Sequence, residues 1–123
     1  MALIVIAEDE FLIQDVLVMM LEDAGYTVAA AAHGAAALEL VKKEAPDLVV
    51  TDFMMPLMTG LELAQTIRAD PALQSIPIIL TSGAQGSIGR AHPQMFDAVL
   101  DKPYREQELL KTIAELLSTR ASG

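Results

Sequence analysis

Leu3-Ile4-Val5-Ile6-Ala7 is an unbroken apolar run that stops at Glu8-Asp9-Glu10. It does not alternate, and a strand with no polar face is covered on both sides, as in a parallel sheet sandwiched between helices. Phe11, Leu12, Val16, Met19 and Met20 then recur at helical spacing. That helix is predicted to stop at Gly25, a residue suited to the left-handed C-cap conformation. Thr27-Val28-Ala29-Ala30-Ala31 reads as a second strand, faintly written because alanine prefers helix. His33-Gly34 turns into an alanine-rich helix over Ala35–Glu44, with Leu38 and Val41 inward and Pro46 closing it.

Leu48-Val49-Val50-Thr51 is a third apolar run, and it ends on Asp52. Phe53–Thr59 reads as a loop, Gly60 opens a helix carrying Leu61, Leu63, Ala64 and Ile67, and Asp70-Pro71 ends it. Ile78-Ile79-Leu80-Thr81 is the fourth strand and leads into Ser82-Gly83. Ala98-Val99-Leu100 is the fifth and leads into Asp101-Lys102-Pro103. The last helix runs from about Glu106 to Leu117, with Leu109, Leu110, Ile113, Leu116 and Leu117 as its apolar face, and Ser118–Gly123 reads as a frayed polar tail. Where a fourth helix belongs, Gly83–Pro93 carries Gly83, Gly86, Gly89 and Pro93, so that helix is expected to be short or irregular. Strand and helix alternate without a linker or a repeat. The pattern predicts one α/β domain over residues 1–123, a doubly wound five-stranded parallel sheet in the flavodoxin-like order 2-1-3-4-5.

Composition narrows the function. A chain of 123 residues, 53% hydrophobic and 20% charged, is globular and long enough to bury roughly two-thirds of its unfolded surface. It has no cysteine, which removes thiol catalysis, thiolate metal sites and disulfides together. No apolar run has the length of a membrane span and no leader pattern opens the chain, so the expectation is a cytoplasmic protein, monomeric or weakly dimeric. A net charge of −9 repels phosphate backbones and argues against nucleic-acid binding. Whether those acids converge is then the question that matters.

They are placed to do so. Glu8 and Asp9 follow the first strand, Asp52 ends the third, Ser82 the fourth, and Lys102 follows the fifth. In open α/β sheets the ligand site lies beyond the carboxyl ends of the strands, where strand order reverses, here between the first and third strands. Three carboxylates at ~5 Å and an effective dielectric of ~20 repel by about 3 kcal/mol per pair. A hard divalent cation relieves that, and carboxylate oxygens with water suit Mg²⁺. With the metal and Lys102 beside it, one carboxylate can act as a nucleophile toward phosphorus. Singly each residue has a plainer reading: Asp9 as a helix N-cap, Lys102-Pro103 and Ser82-Gly83 as ordinary loop starts. Jointly, suitable side chains at four strand ends are hard to assign to caps.

Those residues resemble the receiver (response-regulator) domain of two-component signalling along essentially the whole chain. The resemblance rests on Ala7-Glu8-Asp9-Glu10, Asp52-Phe53-Met54-Met55-Pro56-Leu57-Met58-Thr59-Gly60, the strand from Pro77 to Ser82-Gly83, and Lys102-Pro103-Tyr104. It implies that Asp52 accepts a phosphoryl group from a histidine kinase or a histidine phosphotransfer protein. It further implies Asp9 as a direct ligand of Mg²⁺ (Mn²⁺ or Ca²⁺ substituting), Glu8 as an acid acting through water, and Met54 as a ligand through its backbone carbonyl. Ser82 is then the switch hydroxyl, Lys102 the phosphate-binding lysine, and the Lys102–Pro103 peptide is cis. Such a domain is not an enzyme but promotes its own phosphorylation and dephosphorylation to alter a protein-binding face. The chain departs from the common pattern at Glu8, where aspartate is more frequent. At Val99 it lacks the tyrosine or phenylalanine that couples to the switch hydroxyl. His33 and His92 read as loop histidines, and Met54, Met55 and Met58 as loop packing. Two other readings use the same fold: a pseudo-receiver that binds protein without phosphorylation, and a small flavin carrier. Glu8-Asp9-Glu10 would repel the flavin phosphate, and the intact Asp9, Asp52, Ser82 and Lys102 oppose the first.

Overall fold

The structure is a computed structural model and describes residues 2–83 and 86–122. Among the described residues the elements alternate: β1 (Leu3–Ala7), α1 (Phe11–Asp23), β2 (Thr27–Ala31), α2 (Gly34–Glu44), β3 (Leu48–Asp52), α3 (Gly60–Ala69), β4 (Ile78–Ser82), α4 (Gly86–Arg90), β5 (Ala98–Asp101) and α5 (Glu106–Ser122). The strands form one parallel sheet in the order β2-β1-β3-β4-β5. The expected fold is the observed one.

The missing alternation in the strands has its cause in the two cores. Val5, Ala7, Val49, Ile78 and Leu80 point to one face, against Ala37 and Val41 of α2 and Leu63, Ala64 and Ile67 of α3. Ile4, Ile6, Leu48, Val50, Ile79 and Leu100 point to the other, against Leu17, Met20 and Leu21 of α1 and Leu109 and Ile113 of α5. Each fully buried aliphatic side chain contributes about 1.5–3 kcal/mol, so both strand faces must be apolar. No helix of the described residues is long and apolar enough to cross a membrane.

Several boundaries differ from expectation for local reasons. Helix α2 begins at Gly34 because His33 is its N-cap, its Nδ1 accepting from Ala36 N–H at 3.2 Å, so this loop histidine has a structural task. The helix closes at Ala45, in the left-handed conformation at φ 46°, ahead of Pro46. Thr59 and Glu62 form a reciprocal capping box at the start of α3. Helix α4 is real but only five residues long. Helix α5 continues through Ser122, so 118–122 is helical rather than a frayed tail. No proline or glycine interrupts the chain before Gly123, and the Thr119 hydroxyl bonds back to the Glu115 carbonyl at 3.0 Å. The correction in α1 concerns which face is inward. Leu17, Met20 and Leu21 are buried, while Phe11, Leu12, Val16 and Met19 are mostly exposed. A helix apolar nearly all round carries no periodic signal to tell its faces apart.

Candidate functional site

The parallel registers bring the strand ends level. Ala7 pairs with Thr51 across β1–β3, Asp52 with Thr81 across β3–β4, and Ser82 with Asp101 across β4–β5. Glu8 and Lys102 each leave their strand one residue later. Carboxylate oxygens of Glu8, Asp9 and Asp52 consequently lie within 4.8 Å of one another. Asp9 does not cap α1: the N-cap is Glu10, which makes no side-chain cap bond, so the plain reading of Asp9 fails.

Lys102 is the counter-charge. Its Nζ lies 3.2 Å from Asp52 Oδ1 and 3.4 Å from Glu8 Oε1. Burial alone would lower its pKa, but the Asp52 and Glu8 carboxylates outweigh burial and raise it. Glu8 is 1% exposed. Burial, reinforced by the Asp52 charge, raises its pKa against the lowering effect of the Glu10 N–H and Lys102. Glu8 Oε2 accepts from that amide at 3.2 Å. A buried acid held against its preference beside two more carboxylates is a donor set suited to a hard cation, which would favour the ionised form.

Asp52 is 8% exposed. Its Oδ1 accepts from the Phe53 amide at 2.9 Å as well as facing Lys102. Its Oδ2 takes no hydrogen bond from the described residues. Among the described residues no buried side-chain oxygen is left unpaired, so Oδ2, which takes no hydrogen bond there, reaches the surface of the site. The loop after Asp52 turns back through Gly60, whose amide donates to the Phe53 carbonyl at 2.8 Å. A Cβ at position 60 would overlap the Asp52 carbonyl oxygen, so glycine is required for this close approach. Ser82 is fully buried at the end of β4, and its carbonyl accepts from Lys102 N–H at 2.7 Å. The Lys102–Pro103 peptide is cis.

Gln14 was not singled out by sequence. Its Nε2 donates to the Glu8 and Ala31 carbonyls at 3.0 and 3.2 Å, tying the ends of β1 and β2 to α1. An amide inside an otherwise apolar stretch was the available signal. The methionines divide: Met55 is buried in the core, Met58 packs against it, and Met54 is 58% exposed beside Asp52. Val99 packs against α4, where a Cβ on Gly89 would come 3.1 Å from its Cγ2.

Residues 4–114 match the family model described as the response regulator receiver domain. The response regulator Rre1 of Synechocystis sp. is 30% identical over 98% of this chain, and the chain spans 53% of that protein's length. Among solved structures, the receiver domain of a signal transduction histidine kinase from Syntrophus aciditrophicus superposes with a TM-score of 0.89. It is 28% identical, covering 97% of this chain and 92% of that one. The receiver domain of sensor histidine kinase PA1611 from Pseudomonas aeruginosa, solved with magnesium in its active-site cleft, superposes with a TM-score of 0.87. That likeness is 24% identical, covers 95% of this chain and 98% of that one, and bears on fold alone.

Proposed function

Because this chain belongs to the response regulator receiver family, we propose that it is a phosphoacceptor switch in which Asp52 takes a phosphoryl group from a histidine kinase or histidine phosphotransfer protein. The observation that carries the reading is the juxtaposition of three carboxylates within 4.8 Å with a lysine ammonium 3.2 Å from one of them. Glu8, Asp9 and Asp52, with the Met54 backbone carbonyl, would hold Mg²⁺. Bound there, the cation supplies charge compensation for the transferring oxygens.

The protein's own groups do the remainder. Asp52 forms a bond to phosphorus as the phosphorus–nitrogen bond to the donor imidazole breaks. The nitrogen keeps the bonding pair, and an acyl phosphate results. Lys102, already oriented by Asp52 and Glu8, offsets the oxygens' charge, and the Ser82 hydroxyl donates to one of them. The Phe53 N–H holds Oδ1, leaving Oδ2 as the attacking atom. The chain acts on no second substrate in this reading; it alters a protein-binding face. Incubation with acetyl phosphate and Mg²⁺ is expected to add one phosphoryl mass, absent in Asp52→Ala. Full labelling of that variant would overturn the assignment, and no labelling of the wild type would leave a constitutive protein-interaction module.

A further inference from the structure

The turn between β2 and α2 touches both halves of the proposed metal site, although it supplies no ligand to it. At one end, the Ala31 carbonyl accepts from the Glu8 N–H at 3.0 Å, tying the tip of β2 to the buried acid. At the other, the buried Gly34 lies directly against Met58 of the β3–α3 loop. A Cβ at position 34 would come 2.6 Å from both the Cβ and the carbonyl oxygen of Met58. Because one of those atoms is backbone, no side-chain rotation relieves the overlap, and the loop itself has to shift. Between the two contacts stands His33, whose Nδ1 caps α2 by accepting from the Ala36 N–H at 3.2 Å. That cap fixes where the first turn of α2 begins.

The loop that Gly34 meets has little slack. Its first amide, Phe53 N–H, also donates to the Thr81 carbonyl at 3.2 Å, and the Gly60 N–H closes the loop on the Phe53 carbonyl at 2.8 Å. Met55 is buried in the core. The Met58 N–H donates to the Pro56 carbonyl at 2.8 Å around Leu57 at φ 71°, a tight three-residue turn. A displacement at Met58 is therefore passed back along the loop toward Met54 rather than absorbed.

We infer that the His33–Gly34 turn is a positioning element that sets the spacing between the Met54 carbonyl and the Glu8-Asp9 acids, an inference that rests on the phosphoacceptor reading above and its Mg²⁺ site. Mg²⁺ demands near-ideal octahedral geometry, so a carbonyl displaced by a fraction of an ångström binds it less well. A site assembled from strand ends and one loop needs a support that holds the loop at a fixed distance from the strands. The turn does this because it is bonded to Glu8 through Ala31 and pressed on the loop through Gly34. Gly34 acts through Met58, and His33 acts by holding Gly34 in place.

The test uses the full chain and measures Mg²⁺ binding by calorimetry, beside the rate of labelling by acetyl phosphate at low and at saturating Mg²⁺. Gly34→Ala is expected to weaken Mg²⁺ binding about tenfold, the scale of losing a group that orients a metal ligand. Its labelling is slowed at low Mg²⁺ and returns to the wild-type rate once Mg²⁺ saturates. His33→Ala, lacking the cap, weakens binding about threefold, and His33→Asn, which restores a capping oxygen, brings it back. Gly25→Ala controls for general destabilisation. Gly25 stands at φ 98° ahead of β2, at the other end of the sheet from the site, so this variant melts below wild type but keeps its Mg²⁺ affinity. Unchanged affinity in Gly34→Ala overturns the inference. Should that variant fail to fold, unchanged affinity in His33→Ala, or a loss that His33→Asn leaves in place, does so instead. An equal loss in Gly25→Ala overturns it too, because the effect is then one of stability. A wild type that binds no Mg²⁺, or takes no label at Asp52, overturns the reading of the site and the positioning with it.

Discussion

Glu8 is where burial and charge compete most directly. Burial and the nearby Asp52 hold its pKa above 4.5 despite the Glu10 amide and Lys102. An acid whose folded pKa exceeds its unfolded value binds its proton more tightly when folded. The stability it contributes is therefore full below about 4.5 and is lost as pH rises through the folded value. Glu8→Gln removes that loss. In metal-free buffer the variant is expected to melt above wild type at pH 7, with the two converging toward pH 4. A variant that melts below wild type at pH 7 contradicts the argument. The same substitution should weaken Mg²⁺ binding, measured by calorimetry, about tenfold, the scale of losing a group that acts on a metal through water. In the phosphoacceptor reading, Met54 bears on a different property. Its side chain, 58% exposed beside Asp52, cannot orient a hydrolytic water. The phosphorylated state is expected to be long-lived, and Met54→Asn to shorten it severalfold, followed as decay of the phosphorylated mass after donor removal. An unchanged or longer lifetime counts against it. Ala84, the other flanking position, lies outside the described residues.

At the scale of elements, α1 carries an unusual load. One face packs Leu17, Met20 and Leu21 into the core, while Phe11, Leu12, Val16 and Met19 are 63–82% exposed. A shallow apolar groove runs from Leu12 and Val16 to Tyr104. The helix starts two residues after Asp9, at the mouth of the site, where the phosphohistidine donor of the proposed reading would lie. Its charged residues, Asp15, Glu22 and Asp23, are all acidic, so the complementary donor surface is apolar with basic flanks. Leu12→Ser combined with Val16→Ser is expected to slow transfer from the cognate kinase by about tenfold or more, as truncation of buried interface anchors does. Labelling by acetyl phosphate should remain at wild-type level. Equal loss of both would point to damaged folding. Helices α3 and α4 contrast in legibility. Thr59 and Glu62 of the capping box stand in the sequence at the spacing that makes a helix start. The glycines of α4 read as helix breakers, yet they are what lets the helix press against the sheet.

For the whole molecule, a net charge of −9 and three convergent carboxylates act in the same direction. Both make the metal-free protein less stable than its two cores would allow, one by general self-repulsion and the other at a single point. Mg²⁺, bound as proposed, would relieve the second. At a concentration 100-fold above its dissociation constant the cation is expected to stabilise the fold by about 2.7 kcal/mol. Sodium chloride at matched ionic strength relieves only the general repulsion, so its thermal shift should be clearly smaller. Asp52→Ala should lose most of the difference between the two salts. Equal shifts from both would mean that no specific cation site exists.

The division between sequence and tertiary structure follows from what each kind of information is local to. Continuous apolar runs ending in Glu8-Asp9, Asp52, Ser82 and Lys102 were legible because a strand buried on both faces stays apolar until its carboxyl end, where the first polar side chains, Thr51-Asp52 and Thr81-Ser82, appear. The two cores therefore wrote themselves into the chain together with the site's location. The closeness of the acids and the reach of Lys102 to Asp52 Oδ1 depend on register between strands distant in sequence. The same holds for Gln14 bridging β1 and β2, for Gly60 against the Asp52 carbonyl, and for Arg90 on Asp101. Each is a contact whose partner lies elsewhere in the chain, and a sequence pattern records only that some partner must exist. Which face of α1 turns outward was decided by tertiary packing as well, because a helix apolar on nearly every side has no preferred inward face until the sheet and α5 take one.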